Sequence, residues 1–250
     1  MLSLRTHAYD LPVSKANYTL MRLMCHRFDD STHSMVFRAI RKIVSGEEIT
    51  QSYVDVALPQ SQRQSRLQRR YHFACACERC VSPTSSSLDQ FLDADVDGVS
   101  ERQWSRTRHE QINEAASLLS QADNAGDTRA QLHLALKALD LHNKSLHKMN
   151  TQRLSTLSQV FTMQLQLGEN LDDAVEAGTQ MLHIYESVYP SNHPMLGLHL
   201  FTLGDICAAI NKRDSAVRFL KEAQRILRIT HGEDHAFVKM LSDRLMQQQL

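Results

Sequence analysis

From about residue 101 to the C-terminus, apolar residues recur at helical spacing and are interrupted at short intervals by turn-forming residues. The pattern predicts helices at 101–123, 127–145, 150–167, 170–187, 193–211, 213–229 and 234–248. The breaks read NAGD, HKMN, LGEN, YPSNHP, NKRD and THGEDH. Loops this short make consecutive helices pack antiparallel. Up to about residue 80 the texture differs. HSMVFRAIRKI (33–43) and EEITQSYVDVAL (47–58) are rich in β-branched and aromatic residues, with Gly46 between them. Two strands joined by a short turn are expected there. PQSQRQSRLQRRY (59–71) then predicts a helix opening after Pro59, with Arg63, Arg66, Arg69 and Arg70 on a solvated face. The Ser-, Pro- and Asp-rich stretch 81–100 reads as a linker.

The helical part contains an internal echo. DDAVEAGTQMLHIYESVYPSNHP and DSAVRFLKEAQRILRITHGEDHA align without gaps at an offset of 42 residues. Asp172 matches Asp214, Ala174 matches Ala216, Val175 matches Val217 and His193 matches His235. Such helix pairs are like those of tetratricopeptide repeats, although the period is longer than their usual ~34 residues. One pair cannot bury its apolar face alone, so a stack is expected.

Composition fits a folded protein: 42% hydrophobic, 22% charged, with 8 glycines and 5 prolines in 250 residues. No apolar run approaches the ~20 residues that span a bilayer, and MLSLRTHAYDLP lacks the core of a secretory signal. An intracellular protein with reduced thiols, cytoplasmic and nuclear, is expected. Residues 1–80 carry a net charge of +5 and the remainder −5. That asymmetry is too mild to signal a direct nucleic-acid binder. The ten methionines, Met181 and Met195 among them, read as helix core.

Three of the five cysteines crowd into FACACERC, residues 73–80. Residues two apart do not share a helix face, so Cys75 and Cys77 need a looped backbone to converge, and Cys80 can fold back on them. Clustered thiols in a reducing compartment point to a structural metal, with unliganded or redox-active thiols as the alternative, and zinc takes four ligands. Candidates for the fourth are Cys25, His26, His72 and Cys207. His72 is too near the cluster to close a useful loop, and Cys207 lies within a helix, where a buried thiol is ordinary.

In order, the chain shows R-A-I-R (38–41), G-E-E-I-T (46–50), S-Y (52–53) and Y-x-F-x-C-x-C-x-x-C (71–80), followed by helices ending in ITHGEDHAFVKML. Over roughly residues 33–250 this resembles the SET and MYND domain family of protein-lysine methyltransferases. The resembling part is the end of the SET domain, the post-SET segment and the helical C-terminal domain. The resemblance implies a mostly α chain with a small β part: a truncated SET and post-SET region followed by a tetratricopeptide-like antiparallel array. It divides the chain into 1–24, unassigned; 25–58, the end of SET; 59–82, the post-SET zinc segment; 83–100, a linker; and 101–250, the helical domain.

It also implies S-adenosylmethionine and zinc as cofactors, and a histone or other protein lysine as substrate. Tyr53 would be the catalytic tyrosine of the lysine channel, Tyr71 another aromatic wall of that channel, and Phe73 the ring on the adenine. Cys75, Cys77 and Cys80 would bind zinc, with Cys25 at the fourth position. The family's glycine-rich segment, MYND finger and N-H-S-C motif have no counterpart here; LMRLMCHRFDDSTHS stands where the last is expected. The chain is therefore expected to bind S-adenosylmethionine poorly and to be weak or inactive alone. The competing expectation is a non-catalytic helical scaffold with a zinc-stapled SET remnant, taking a peptide or chaperone tail.

Overall fold

The computed structural model describes residues 24–29, 33–47, 49–81 and 86–249. The chain opens with an antiparallel pair, β1 (Met24–Asp29) and β2 (Ser34–Ala39), in which Cys25 lies opposite Arg38. The expected pairing of 33–43 with 47–58 is therefore corrected: the partner of β2 is upstream. The turn at Gly46 forms, with φ at 83° and Glu47 N–H donating to Val44 C=O at 3.1 Å. Beyond it, the described residues of 49–58 form no strand. Their polar groups bond locally instead. Ser52 Oγ donates to Val54 C=O at 2.6 Å, and the Asp55 carboxylate accepts from Ala57 N–H at 2.9 Å.

Next come α1 (Gln60–Tyr71), the short α2 (Glu78–Val81) and α3 (Ser86–Leu92). The stretch read as a linker is structured. Within it, Leu92 and Ala94 are fully buried, and Asp95 pairs with Leu146 in an isolated bridge. The Asp95 carboxylate closes its own turn, accepting from Asp97 and Val99 N–H at 3.0 and 2.8 Å. Asp95 thus supplies turn chemistry in a docked segment, not in a solvent-exposed spacer.

A 3-10 turn at Glu101–Gln103 leads into the array: α4 (Arg106–Asn124), α5 (Thr128–Ser145), α6 (Thr151–Leu167), α7 (Leu171–Val188), α8 (Pro194–Ala209), α9 (Arg213–His231) and α10 (Ala236–Gln249). Each packs chiefly on the next in sequence, the contact pattern of a stacked helical-hairpin array. The fold is mostly α with a small β part. Where helices approach closely the chain uses glycine. A Cβ at Gly204 would sit 2.6 Å from Leu220 Cγ, and one at Gly178 2.7 Å from Leu203 Cδ2.

The helix starts explain the echo. Ser105, Asp127 and Asn150 accept from backbone N–H groups in the first turns of α4, α5 and α6. At the two matched histidines the imidazole does the same. His193 Nδ1 accepts from Met195 N–H at 3.2 Å and His235 Nδ1 from Phe237 N–H at 3.3 Å. The matched Ala174 and Ala216 are both fully buried. No helix among the described residues is long and apolar enough to cross a membrane.

The array touches the N-terminal part through polar ties. Tyr189 O–H donates to the Asp55 carboxylate at 3.1 Å, and Asn192 Nδ2 donates to Ile40 C=O at 2.8 Å. Arg225 in turn donates to Asn192 Oδ1 at 2.7 Å.

His142 lies inside the array, 3% exposed, with its Nδ1 3.0 Å from Thr156 Oγ1. Burial, and then the positive charge of Arg153, lower its pKa to about 4. The unfolded chain would protonate near 6.5 and the folded chain would not, so stability falls as pH drops from about 6.5 to 4. Urea midpoints should record a loss of up to about 3 kcal/mol from this group across that window, and His142→Gln should flatten the slope. An unchanged slope in the variant would assign the loss elsewhere.

A candidate thiol metal centre beside an aromatic cluster

The inward face of α1 carries Gln60, Arg63, Gln64 and Leu67, at helical spacing i, i+3, i+4 and i+7. Three of the four are polar because this face holds a backbone loop rather than a hydrophobic wall. Gln64 binds Cys75 like a paired strand: its Oε1 accepts from Cys75 N–H at 2.8 Å and its Nε2 donates to Cys75 C=O at 2.7 Å. Gln60 Nε2 donates to Cys80 C=O. His72 ends α1 in the left-handed region, φ 57°, which turns the chain back along the helix. The loop then tightens where Cys80 and Val81 N–H both donate to Cys77 C=O, at 2.8 and 3.0 Å.

The result brings Cys75, Cys77 and Cys80 together, each at most 5% exposed, with all three sulfurs within 4.8 Å of one another. Among the described residues this is the one group of ligand-type side chains close enough to share an ion. A tetrahedral site with Zn–S bonds of about 2.3 Å puts its sulfurs about 3.8 Å apart, so the cluster fits such an ion. Without a cation, the adjoining sulfurs of Cys77 and Cys80, together with burial, push the Cys75 thiol far up. At Cys80 the contact with Cys75 pulls downward, but Cys77 and burial outweigh it and the thiol is raised. Cys75 and Cys80 thus resist ionisation in this company, and a divalent cation reverses that preference.

The candidates for a fourth ligand fare differently. Cys25 and His26 lie on β1, and their side chains fall outside the described residues. His72 is exposed at the end of α1. Cys207 is fully buried in α8 with its thiol raised by burial, as an ordinary core residue.

Arg63 is a correction to the solvated face expected for α1. It is fully buried, whereas Arg66, Arg69 and Arg70 are exposed as expected. Its Nη1 and Nη2 donate to the two oxygens of Asp89 at 2.6 and 3.0 Å, Nη1 also donates to Leu58 C=O at 2.6 Å, and Nη2 lies 3.6 Å from Cys80 Sγ. Arg79 grips the same carboxylate from the other side, at 3.1 and 3.2 Å. Asp89 comes from α3, within the supposed linker. The sequence signal that could have exposed this was the lone acid in SSSLDQFL, set among apolar residues.

Beside the thiols stands a group of rings. Tyr53 meets Tyr71 at 4.9 Å between centroids and 63°, and Phe73 at 6.1 Å and 77°. Both are edge-to-face contacts. Tyr53 is 42% exposed, while Tyr71 and Phe73 are half-buried against the core. The Arg70 guanidinium lies 5.7 Å from the Tyr71 ring centre. All three sequence-nominated rings therefore converge, next to the nominated cysteines.

No family model matches the chain. Individual proteins do. The histone-lysine N-methyltransferase SMYD3 of Homo sapiens is 25% identical over 207 residues, covering 83% of this chain and 45% of its own. The histone-lysine N-methyltransferase ASHR1 of Arabidopsis thaliana is 27% identical over 237 residues, covering 84% and 49%. The N-lysine methyltransferase SMYD2 of Bos taurus is 22% identical over 215 residues, covering 83% and 48%. The chain is similar to SMYD-family lysine methyltransferases. It spans about half the length of the curated relatives it matches. Among solved structures, TPR-like repeats of a Podosopora anserina protein described as a kinesin light chain cover 58% of this chain and 67% of their own, at 17% identity and a TM-score of 0.42.

Removing Arg63 would leave the Asp89 carboxylate buried with Arg79 as its remaining charge partner. Arg63→Met is expected to cost about 3 kcal/mol in denaturant unfolding, with Arg66→Met near zero as the control. Equal stability of the two variants would contradict this account of α1.

Proposed function

We propose that this chain forms the C-terminal wall of a SET-type, S-adenosylmethionine-dependent protein-lysine N-methyltransferase site, acting on histone or other protein lysines. The observation that carries the reading is the convergence of Tyr53, Tyr71 and Phe73 beside the thiol cluster. The names of the relatives support it.

S-adenosylmethionine, when bound, supplies a methyl group on a sulfonium centre. Methyl transfer to a neutral amine needs alignment and exclusion of water more than acid–base groups. Tyr53 and Tyr71 offer ring surfaces for the lysine side chain, and a cationic amine or methylammonium is attracted to such rings. Phe73 offers an apolar face for the adenine. Zinc held by Cys75, Cys77 and Cys80, with Cys25 as the fourth thiolate, would fix the loop that follows these rings; its part is structural. Arg63 would offset the negative charge of the thiolate set through Cys80 Sγ.

The chain alone should hold the cofactor weakly, with a dissociation constant above about 100 μM, near −5.5 kcal/mol. Ligand-observed NMR with S-adenosylhomocysteine tests this without requiring turnover. Saturation transfer to the adenine protons is expected in the unaltered chain and should weaken roughly tenfold in Phe73→Ala, the scale of a lost aromatic contact. Tyr53→Phe should leave it unchanged. No transfer at millimolar ligand, or equal transfer in Phe73→Ala, would favour the scaffold reading, in which the helical array alone carries the function.

A further inference from the structure

One face of each of three consecutive helices lines a groove of about 300 Å³ over α6, between α5 and α7. Its apolar side includes Leu136 and Leu139 of α5, and Leu136 is 44% exposed. A half-exposed leucine at the mouth of an apolar groove is where a partner side chain gains most from leaving water. The charged residues of the lining share one electrical sign. Glu169, Asp173 and Glu176 stand along the α7 side, and Arg129 answers only the first of them. Within the groove, the Oε1 of Gln164 is shielded from water and accepts no hydrogen bond. A buried acceptor left unmatched is costly, and a donor brought by a ligand would recover part of that cost.

We infer that the α5–α6–α7 groove is a docking site for a cationic amphipathic peptide. Its apolar side chains enter beside Leu136 and Leu139, and its lysines or arginines meet Asp173 and Glu176, with one donor reaching Gln164. The volume suits a few side chains of a linear segment rather than a folded domain. Charge decides the choice of occupant. An acidic tail, such as the chaperone tail considered from the sequence, would set carboxylates against carboxylates, and like-charge juxtaposition opposes docking. The inference rests on the helical array alone, so it stands or falls independently of the methyl-transfer reading.

Three labelled probe peptides of equal length test it by fluorescence anisotropy against the whole chain at physiological salt: leucine on one helical face with lysine on the other, the same with glutamate for lysine, and the same with serine for leucine. The Leu/Lys peptide is expected to bind, and the Leu/Glu and Ser/Lys peptides at least roughly tenfold more weakly. Asp173 and Glu176 are both exposed. Asp173→Lys with Glu176→Lys should therefore leave the helix content intact, while Leu/Lys binding falls about tenfold or more and loses its salt dependence. Leu136→Glu should weaken it similarly. No binding of the Leu/Lys peptide, equal binding of the Leu/Glu peptide, or full binding by the folded charge-reversed variant would each overturn the proposal.

Discussion

A guanidinium without access to water sits within the N-terminal part, and the groups around its two Nη atoms make that charge tolerable. Arg63 can be fully buried because Asp89, a backbone carbonyl and a sulfur surround it. An isolated buried charge would cost several kcal/mol. Meeting that requirement ties α1 to α3 through Asp89, to the 49–58 segment through Leu58, and to the cysteine loop through Cys80. The pair is a weak source of net stability but a strong specifier of arrangement. The position of the thiols follows from it, and the aromatic group follows from the position of the thiols, because Tyr71 and Phe73 lie on the short path from α1 into the loop.

The helical half obeys a different logic. Its contacts run from each helix to the next, and glycine or alanine at the crossings lets neighbours approach. Polar starts at Ser105, Asp127, Asn150, His193 and His235 satisfy backbone donors that the helices cannot satisfy themselves. The two halves meet where Tyr189 and Asn192, at the end of α7 and in the loop after it, reach Asp55 and Ile40. The aromatic group is thus supported from both sides. Tyr53 belongs to a segment tied to the array through the Asp55 carboxylate and to α1 through the Leu58 carbonyl.

Legibility in the sequence tracked the length scale of the physics. The array's helices were readable because period and breakers are local, and the predicted 127–145, 150–167 and 213–229 lie close to Thr128–Ser145, Thr151–Leu167 and Arg213–His231. The matched histidines at 193 and 235 were visible as an echo, but their capping role was not, since histidine is a less common cap than Ser or Asp. The small sheet differs from expectation because β-branched composition marks 47–58 as strand, while Ser52 and Asp55 divert the described residues after the turn into local bonds. Arg63 was read as surface because a polar helix face has two causes, water or a backbone loop to be held, and periodicity does not separate them. The sulfur cluster is legible because its spacing is short and its residue type is rare, whereas the three rings enter only through the family resemblance, since Tyr53 is distant in sequence from Tyr71 and Phe73.

We propose that the loop held by Gln60, Arg63 and Gln64 binds a structural zinc ion. X-ray absorption at the zinc edge, on protein purified without chelator, tests it most directly. The account predicts about one zinc per chain and a first shell dominated by sulfur near 2.3 Å, lost in Cys77→Ala. A shell dominated by oxygen or nitrogen, or a folded protein with no zinc at all, would contradict it.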